Sequence, residues 1–150
     1  MDRQVADLDR KIAQVAKADP RVKALTALSG IGPLTALVIL AEVGDIRRFA
    51  SARKLASWAG LTPTVRGSDR TVRDGPITKQ GDPWPHWIVN QAAQTANRTP
   101  RYAACFEQIA HRRGRKIATI AVARKLLTHA YHVLRELDAI QQPKEPCATA

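Results

Sequence analysis

Apolar residues recur at helical spacing over most of the chain, and glycines and prolines cut that pattern into segments. Val5, Leu8, Ile12 and Val15 lie three, four and three residues apart among Asp, Arg, Gln and Lys, which predicts a helix over residues 1–18. Such a stripe suits either the seam of a coiled coil or an amphipathic helix lying on the domain's own core. Pro20, after Asp19, opens a second helix at its first turn. Val22, Leu25 and Leu28 lead into Ser29-Gly30-Ile31-Gly32-Pro33, and Leu34 to Val43 follow, so the segment reads as helix, tight turn, helix. Gly30 and Gly32 allow a sharp reversal, and Pro33 presets the first turn of the next helix.

Gly44 is a stop signal, and Ser51 is a good N-cap for a short helix from Ala52 to Ala59, ended by Gly60. Residues 61–82 have no helical period and many turn residues; alternation around Thr71-Val72-Arg73 allows a short hairpin, but the expectation is a basic loop. Helices are expected from Pro83 to Arg98, from Thr99-Pro100 to about His111, and over 115–138. The last is the longest, with Ile117, Ile120, Val122, Leu126, Leu127, Tyr131 and Leu134 on a broad apolar face. The pattern therefore predicts an all-α domain of five to seven helices containing a helix-hairpin-helix. Residues 1–19 form a coiled-coil or linker helix, 20–138 the helical domain, and 139–150 a flexible tail.

Charge adds a partner to this picture. The chain of 150 residues carries 24 Lys+Arg against 13 Asp+Glu, a formal +11. Residues 1–45 are balanced, residues 136–150 are slightly acidic, and residues 46–135 hold 17 basic and four acidic side chains. A block this basic points first to nucleic acid and second to an anionic membrane surface. With 45% hydrophobic residues the chain can still bury a core, and only 5% aromatics implies one of Ala, Leu, Ile and Val. The most apolar run, Pro33 to Val43, is too short to cross a bilayer and contains Glu42. The first residues lack a signal peptide's apolar core, and Cys105 and Cys147 make no disulfide framework. A cytoplasmic, nucleoid-associated protein with no membrane partner is expected.

The turn at 29–33 is the most specific local motif. Small residues there let backbone N–H groups at a helix N-terminus approach a DNA phosphate through Gly30 and Gly32, although a plain αα-hairpin would use the same glycines for geometry alone. In the loop, Arg66, Arg70, Arg73 and Lys79 surround Gly67-Ser68-Asp69. Cations stabilise charge developing on phosphoryl oxygens, and a hydroxyl can act as nucleophile. Of the four serines, Ser29 belongs to a turn, Ser51 to a cap and Ser57 to a helix, which leaves Ser68 as the candidate. The run His111-Arg112-Arg113-Gly114-Arg115-Lys116 suits backbone phosphates, with Arg112, Arg113, Arg115 and Lys116 as the contacts, or else a solvated turn. Tyr102 and Tyr131 read as core, as do Trp84 and Trp87, for which base stacking is the lesser reading. His129 and His132 share a helix face but lack a third ligand, so no metal site is expected.

Taken in order, "LTALSGIGPLTALVILAEVGDIRRFASARKLASWAGLTPTVRGSDR" and "GPITKQGD" resemble the C-terminal domain of the insertion-sequence one-ten family of transposases. The resemblance runs from about Leu25 to Leu137 and rests on the order and spacing of its elements. It implies a DNA strand-transfer enzyme in which this domain follows a RuvC-like domain and a coiled coil. It also implies a nucleophilic serine, at Ser68 in this chain, that forms a phosphoserine link with DNA. Arg66, Arg70, Arg73 and Lys79 become phosphate contacts, and residues 1–18 the end of the coiled coil, joining a dimer or tetramer. Some family members are directed by a guide (bridge) RNA. Mg²⁺ belongs to the acidic tetrad of the other domain, so none is expected in this chain, which would be inactive alone. After "ITKQGD" the family continues with arginine-rich helix residues, whereas here Pro83-Trp84-Pro85-His86-Trp87 follows. That departure keeps open a non-catalytic DNA-binding remnant or regulator.

Overall fold

Most helix starts are fixed by the residues that precede each apolar stripe. The computed structural model describes residues 2–68, 71–77 and 83–141. Its elements are α1 (Asp2–Ala18), α2 (Pro20–Thr26), α3 (Pro33–Val43), a 3-10 turn (Ile46–Arg48), α4 (Ala52–Trp58), β1 (Pro63–Ser68), β2 (Thr71–Ile77), α5 (Pro83–Ala96), α6 (Pro100–Arg113) and α7 (Arg115–Gln141). The Asp19 carboxylate accepts from the Arg21 N–H at 2.8 Å to open α2, and Ser51 Oγ accepts from the Lys54 N–H at 3.3 Å to open α4. Prolines occupy the first turns of α2, α3 and α6, where the missing N–H costs nothing.

The all-α class holds for the body of the molecule, and its axis is α7. This helix packs against α6, α5 and α4, and more lightly against α2. Ala118, Val122, Ala123, Leu126, Leu127, Ala130, Tyr131 and Leu134 are buried along it. Alanines Ala92, Ala93 and Ala96 on α5 let the backbones approach closely, which is why a chain so poor in aromatics still closes its core. Full burial of a leucine such as Leu126 stabilises the fold by about 1.5–3 kcal/mol. The Tyr131 hydroxyl donates to the Phe49 carbonyl at 3.0 Å, so the one polar end of that core tyrosine is satisfied.

Four expectations change. Residues 63–68 and 71–77 form not loop but a pair of antiparallel strands, here called the hairpin, with Pro63 opposite Ile77 and Ser68 opposite Thr71. Its register is irregular between Pro63 and Val65. The β-branched and alternating residues outweigh the glycines here, a period-2 signal too short to stand out among turn residues. Trp84 and Trp87 are not core: they are 61% and 51% exposed and meet edge to face at 5.9 Å. They flank Pro85, which takes the buried side of the first turn of α5 instead. Ile117, expected on the buried face of α7, is 51% exposed. Finally, α6 reaches Arg113 and α7 reaches Gln141, so the helical body extends past 138. Residues 142–150 of the expected tail lie outside the described residues.

Most of the stripe on α1 faces away from the core. Val5, Leu8 and Val15 are exposed, with Leu8 at 57%, Ile12 is half-buried, and among the described residues of α1 Ala16, near the C-terminal end, is buried. Among the described residues no helix is long and apolar enough to cross a membrane.

Candidate nucleic-acid interface

Three surfaces carry the residues singled out in the sequence. The first is the α2–α3 turn. Gly30 has φ +93°, a left-handed conformation that disfavours a side chain, and it faces α5. A Cβ there would lie 2.5 Å from the Ala92 carbonyl oxygen and 2.8 Å from the Ala96 Cβ. Gly32, by contrast, is exposed at the N-cap of α3, and a Cβ there would meet nothing within 4 Å. One glycine is set by packing and the other stands at an open helix start.

The second surface is the hairpin. Arg66 and Ser68 lie on β1 and Arg73 on β2, and the register sets Arg66 opposite Arg73 and Ser68 opposite Thr71. Arg70 and Lys79 lie outside the described residues.

The third is the junction of α6 and α7. Gly114, with φ +88°, turns the chain between Arg113 and Arg115, so the two helices end and begin in one basic corner. Residues His111 to Lys116 are all exposed. The Arg115 guanidinium lies 5.3 Å over the Phe106 ring, while the Arg112 side chain returns to the Gln108 carbonyl at 3.4 Å. Among the described residues no ion pair engages Arg112, Arg113, Arg115 or Lys116. Basic residues nearer the N-terminal half are occupied differently. Arg47 pairs with Asp45 at 2.9 Å and with Asp138 at 3.8 Å, holding the Asp45 carboxyl below the usual carboxylate range through their hydrogen bond. Arg48 stacks over Phe49 and Trp58 at 4.7 and 5.2 Å. Among the described residues, exposed cations without an ion pair are most numerous on α6 and α7, with Arg53 and Lys54 on α4 as further examples.

Between the hairpin base and α7 runs an open groove of about 1040 Å³. Leu61, Ile117, Ile120 and Ala121 form an apolar floor, and Arg113, Lys116, Arg124 and Lys125 line it as cations. His129 stands at the foot of the groove, its Nδ1 2.7 Å from the Tyr102 hydroxyl. Burial, then the charges of Arg101, His132 and Lys125, push the imidazole below the usual histidine range. The same burial pushes the Tyr102 phenol up, so both partners are neutral at pH 7. Sequence reasoning missed this groove because it weighed Ile117 and Ile120 as core. The spacing of Arg124 and Lys125 beside them was the available signal. Among the described residues no group of three or more His, Cys, Asp or Glu side chains converges as a metal site would require.

Comparison with known proteins gives this arrangement relatives. Residues 22–107 match the model of the transposase family described as IS116/IS110/IS902. The chain is 30% identical, over 83% of its length, to the transposase for insertion sequence element IS1111A of Coxiella burnetii. It is equally similar, over the same share, to a Pseudomonas aeruginosa protein named "Probable family 20 transposase". A pilin gene-inverting protein of Moraxella bovis is 32% identical over 88% of the chain. The chain spans 35%, 38% and 44% of the lengths of these three relatives, respectively.

Proposed function

Since this chain belongs to the IS116/IS110/IS902 family of transposases, we propose that it is the DNA-binding, serine-bearing module of such an enzyme, acting in DNA transposition. The observation that carries the reading is the hairpin. It brings the Arg66 and Arg73 positions opposite one another, with Arg66 two residues from Ser68, on a hairpin whose base at Pro63 and Gly75 borders the cations of α6 and α7. Like charges at facing register positions cost stability, and an anion bound between them relieves that cost. A DNA phosphodiester is such an anion.

In this mechanism Ser68 Oγ attacks the phosphorus of a DNA phosphodiester. An O–P bond to the serine forms, the P–O bond to one deoxyribose breaks, and the departing sugar oxygen takes up the proton as a hydroxyl. Arg66 and Arg73, with Arg70 and Lys79, stabilise charge on the non-bridging oxygens. Gly30 sets the α2–α3 turn by packing, which leaves the Gly32 end of α3 open to a backbone phosphate. Arg112, Arg113, Arg115 and Lys116 hold DNA without reading its sequence. Mg²⁺ belongs with the acidic domain that the family resemblance implies, and each step here is carried by residues of this chain. The exposed seam of α1 pairs with another copy of the chain, and a guide RNA stays with the family resemblance alone.

The test is a covalent species. Wild-type chain, supplied in trans with a family acidic domain and guide RNA, is incubated with labelled DNA carrying element ends and resolved under denaturing conditions. The expected protein–DNA adduct disappears in Ser68→Ala. An adduct that persists in Ser68→Ala overturns the nucleophile assignment. DNA binding without an adduct in either protein leaves the non-catalytic reading.

A further inference from the structure

The groove between the hairpin base and α7 has no part in the serine chemistry, yet it combines two features rarely found together on a free surface. Four cations line it without a carboxylate among its described lining, and its floor is apolar and open. We propose that this groove seats a segment of single-stranded DNA, with phosphates on Arg113, Lys116, Arg124 and Lys125 and unstacked bases laid on Ile117 and the outer part of Ile120. The inference rests on the reading of the chain as a DNA-binding module and deepens it by naming the form of DNA.

Charge and shape argue together. None of Arg113, Lys116 and Arg124 has an ion-pair partner among the described residues, and Lys125 reaches only the Cys105 sulfur at 3.3 Å. A duplex presents phosphates and sugars to such a surface, and a half-exposed isoleucine gains little from either. Unstacked bases have apolar faces, and laying them on half-exposed Ile117 and the outer part of half-buried Ile120 removes apolar surface from water. On α7, Lys116, Ile117, Ile120, Ala121, Arg124 and Lys125 fall at helical spacing, so the cations border one apolar stripe. Lys116 to Lys125 covers about 13 Å of helix. That length spans about four phosphates at the ~3.4 Å per-strand spacing of B-DNA, and fewer when the strand is stretched.

DNA is favoured over RNA by what the foot of the groove lacks. The Thr128 hydroxyl already donates to the Arg124 carbonyl at 2.9 Å, and His129 Nδ1 is engaged by Tyr102. The Thr128 proton and His129 Nδ1 are therefore not available to recognise a 2′-hydroxyl, the atom by which proteins single out RNA. The location also suits a substrate strand. At ~3.3 Å per residue, Ser68 lies about 16 Å along β1 from Pro63 at the groove edge, within reach of a strand leaving the groove.

Fluorescence anisotropy with the full chain tests this, using oligo(dT) of about 12 nucleotides, oligo(U) of equal length and a mixed-sequence duplex. Oligo(dT) is expected to bind more tightly than oligo(U). Ile117→Ser, at an exposed position with circular dichroism as the check on folding, is expected to weaken oligo(dT) about tenfold and leave duplex affinity unchanged. The double variant Arg124→Ala/Lys125→Ala is expected to lower the salt slope for oligo(dT) by about 1.4. Wild-type oligo(dT) affinity in both variants, or tighter binding of oligo(U), overturns the groove assignment while duplex binding stands. Failure of every DNA to bind overturns the parent reading as well.

Discussion

A Cβ placed on Gly30 would lie 2.5 Å from the carbonyl oxygen of Ala92, so the α2–α3 turn is locked against α5 rather than projecting freely. Gly32, two residues on, has open space on the same test. The two glycines of one motif therefore separate folding from contact. Gly30→Ala forces both a positive φ and a steric overlap, and is expected to cost about 3 kcal/mol, read as a lowered midpoint in urea unfolding. Gly32→Ala, at an N-cap where alanine is the poorer residue, should cost no more than about 1 kcal/mol. A loss of duplex affinity in Gly32→Ala while the chain stays folded would locate a phosphate contact at the start of α3.

The Tyr102–His129 pair predicts a pH dependence. The folded protein holds His129 below the usual value of 6.5, so the unfolded chain takes up a proton first as pH falls. The stability from the neutral ring is present above that usual value and is lost as pH drops through it toward the lower folded value. Thermal midpoints followed from pH 7.5 down to 5 should fall, and His129→Gln should flatten that part of the profile. A midpoint equally pH-dependent in His129→Gln would assign the effect to other groups.

Exposure separates the aromatic residues. Trp87 is 51% exposed and loses mainly its edge-to-face contact with Trp84 on truncation, so Trp87→Ala should cost no more than about 1.5 kcal/mol. Leu126, fully buried against the centre of the fold, should cost about 2–5 kcal/mol as Leu126→Ala. Equilibrium denaturation of the two variants measures the contrast directly.

The α1 seam predicts an assembly effect without a folding effect. Leu8 is exposed and packs on nothing in the domain core, so Leu8→Glu should leave the thermal midpoint of the helical body unchanged. Sedimentation velocity should show a smaller species for Leu8→Glu than for wild type. Identical sedimentation of the two would remove the coiled-coil role of residues 1–18.

What could be read from the sequence followed the strength of local signals. Asp19, Ser51 and the prolines at 20, 33 and 100 carry capping information within two or three residues, and the helices start where they indicate. The basic corner at Arg112–Lys116 was visible as a charge run, and the turn at 29–33 as a glycine pattern. The hairpin was hidden because its alternation spans only a few residues between turn formers. The exposure of Trp84, Trp87 and Ile117 is a matter of which side each helix turns to its neighbours. Hydrophobicity says that a residue can be buried, and only the packing of α5 and α7 decides that these are not. The groove needed both pieces, since Ile117 and Ile120 read as core, Arg113 and Lys116 read as part of a separate basic run, and Arg124 and Lys125 were not singled out.

The most direct test of the account is the affinity of the chain for duplex DNA as salt is raised. A module that holds four or more phosphates through α6, α7 and the hairpin should lose about a hundredfold in affinity between about 50 and 200 mM monovalent salt. A logarithmic plot should be linear, with a slope reduced by about 0.9 for each of Arg112→Ala and Lys116→Ala. Binding that is indifferent to salt, or no binding at the lowest salt, would contradict the assignment of this basic surface to DNA.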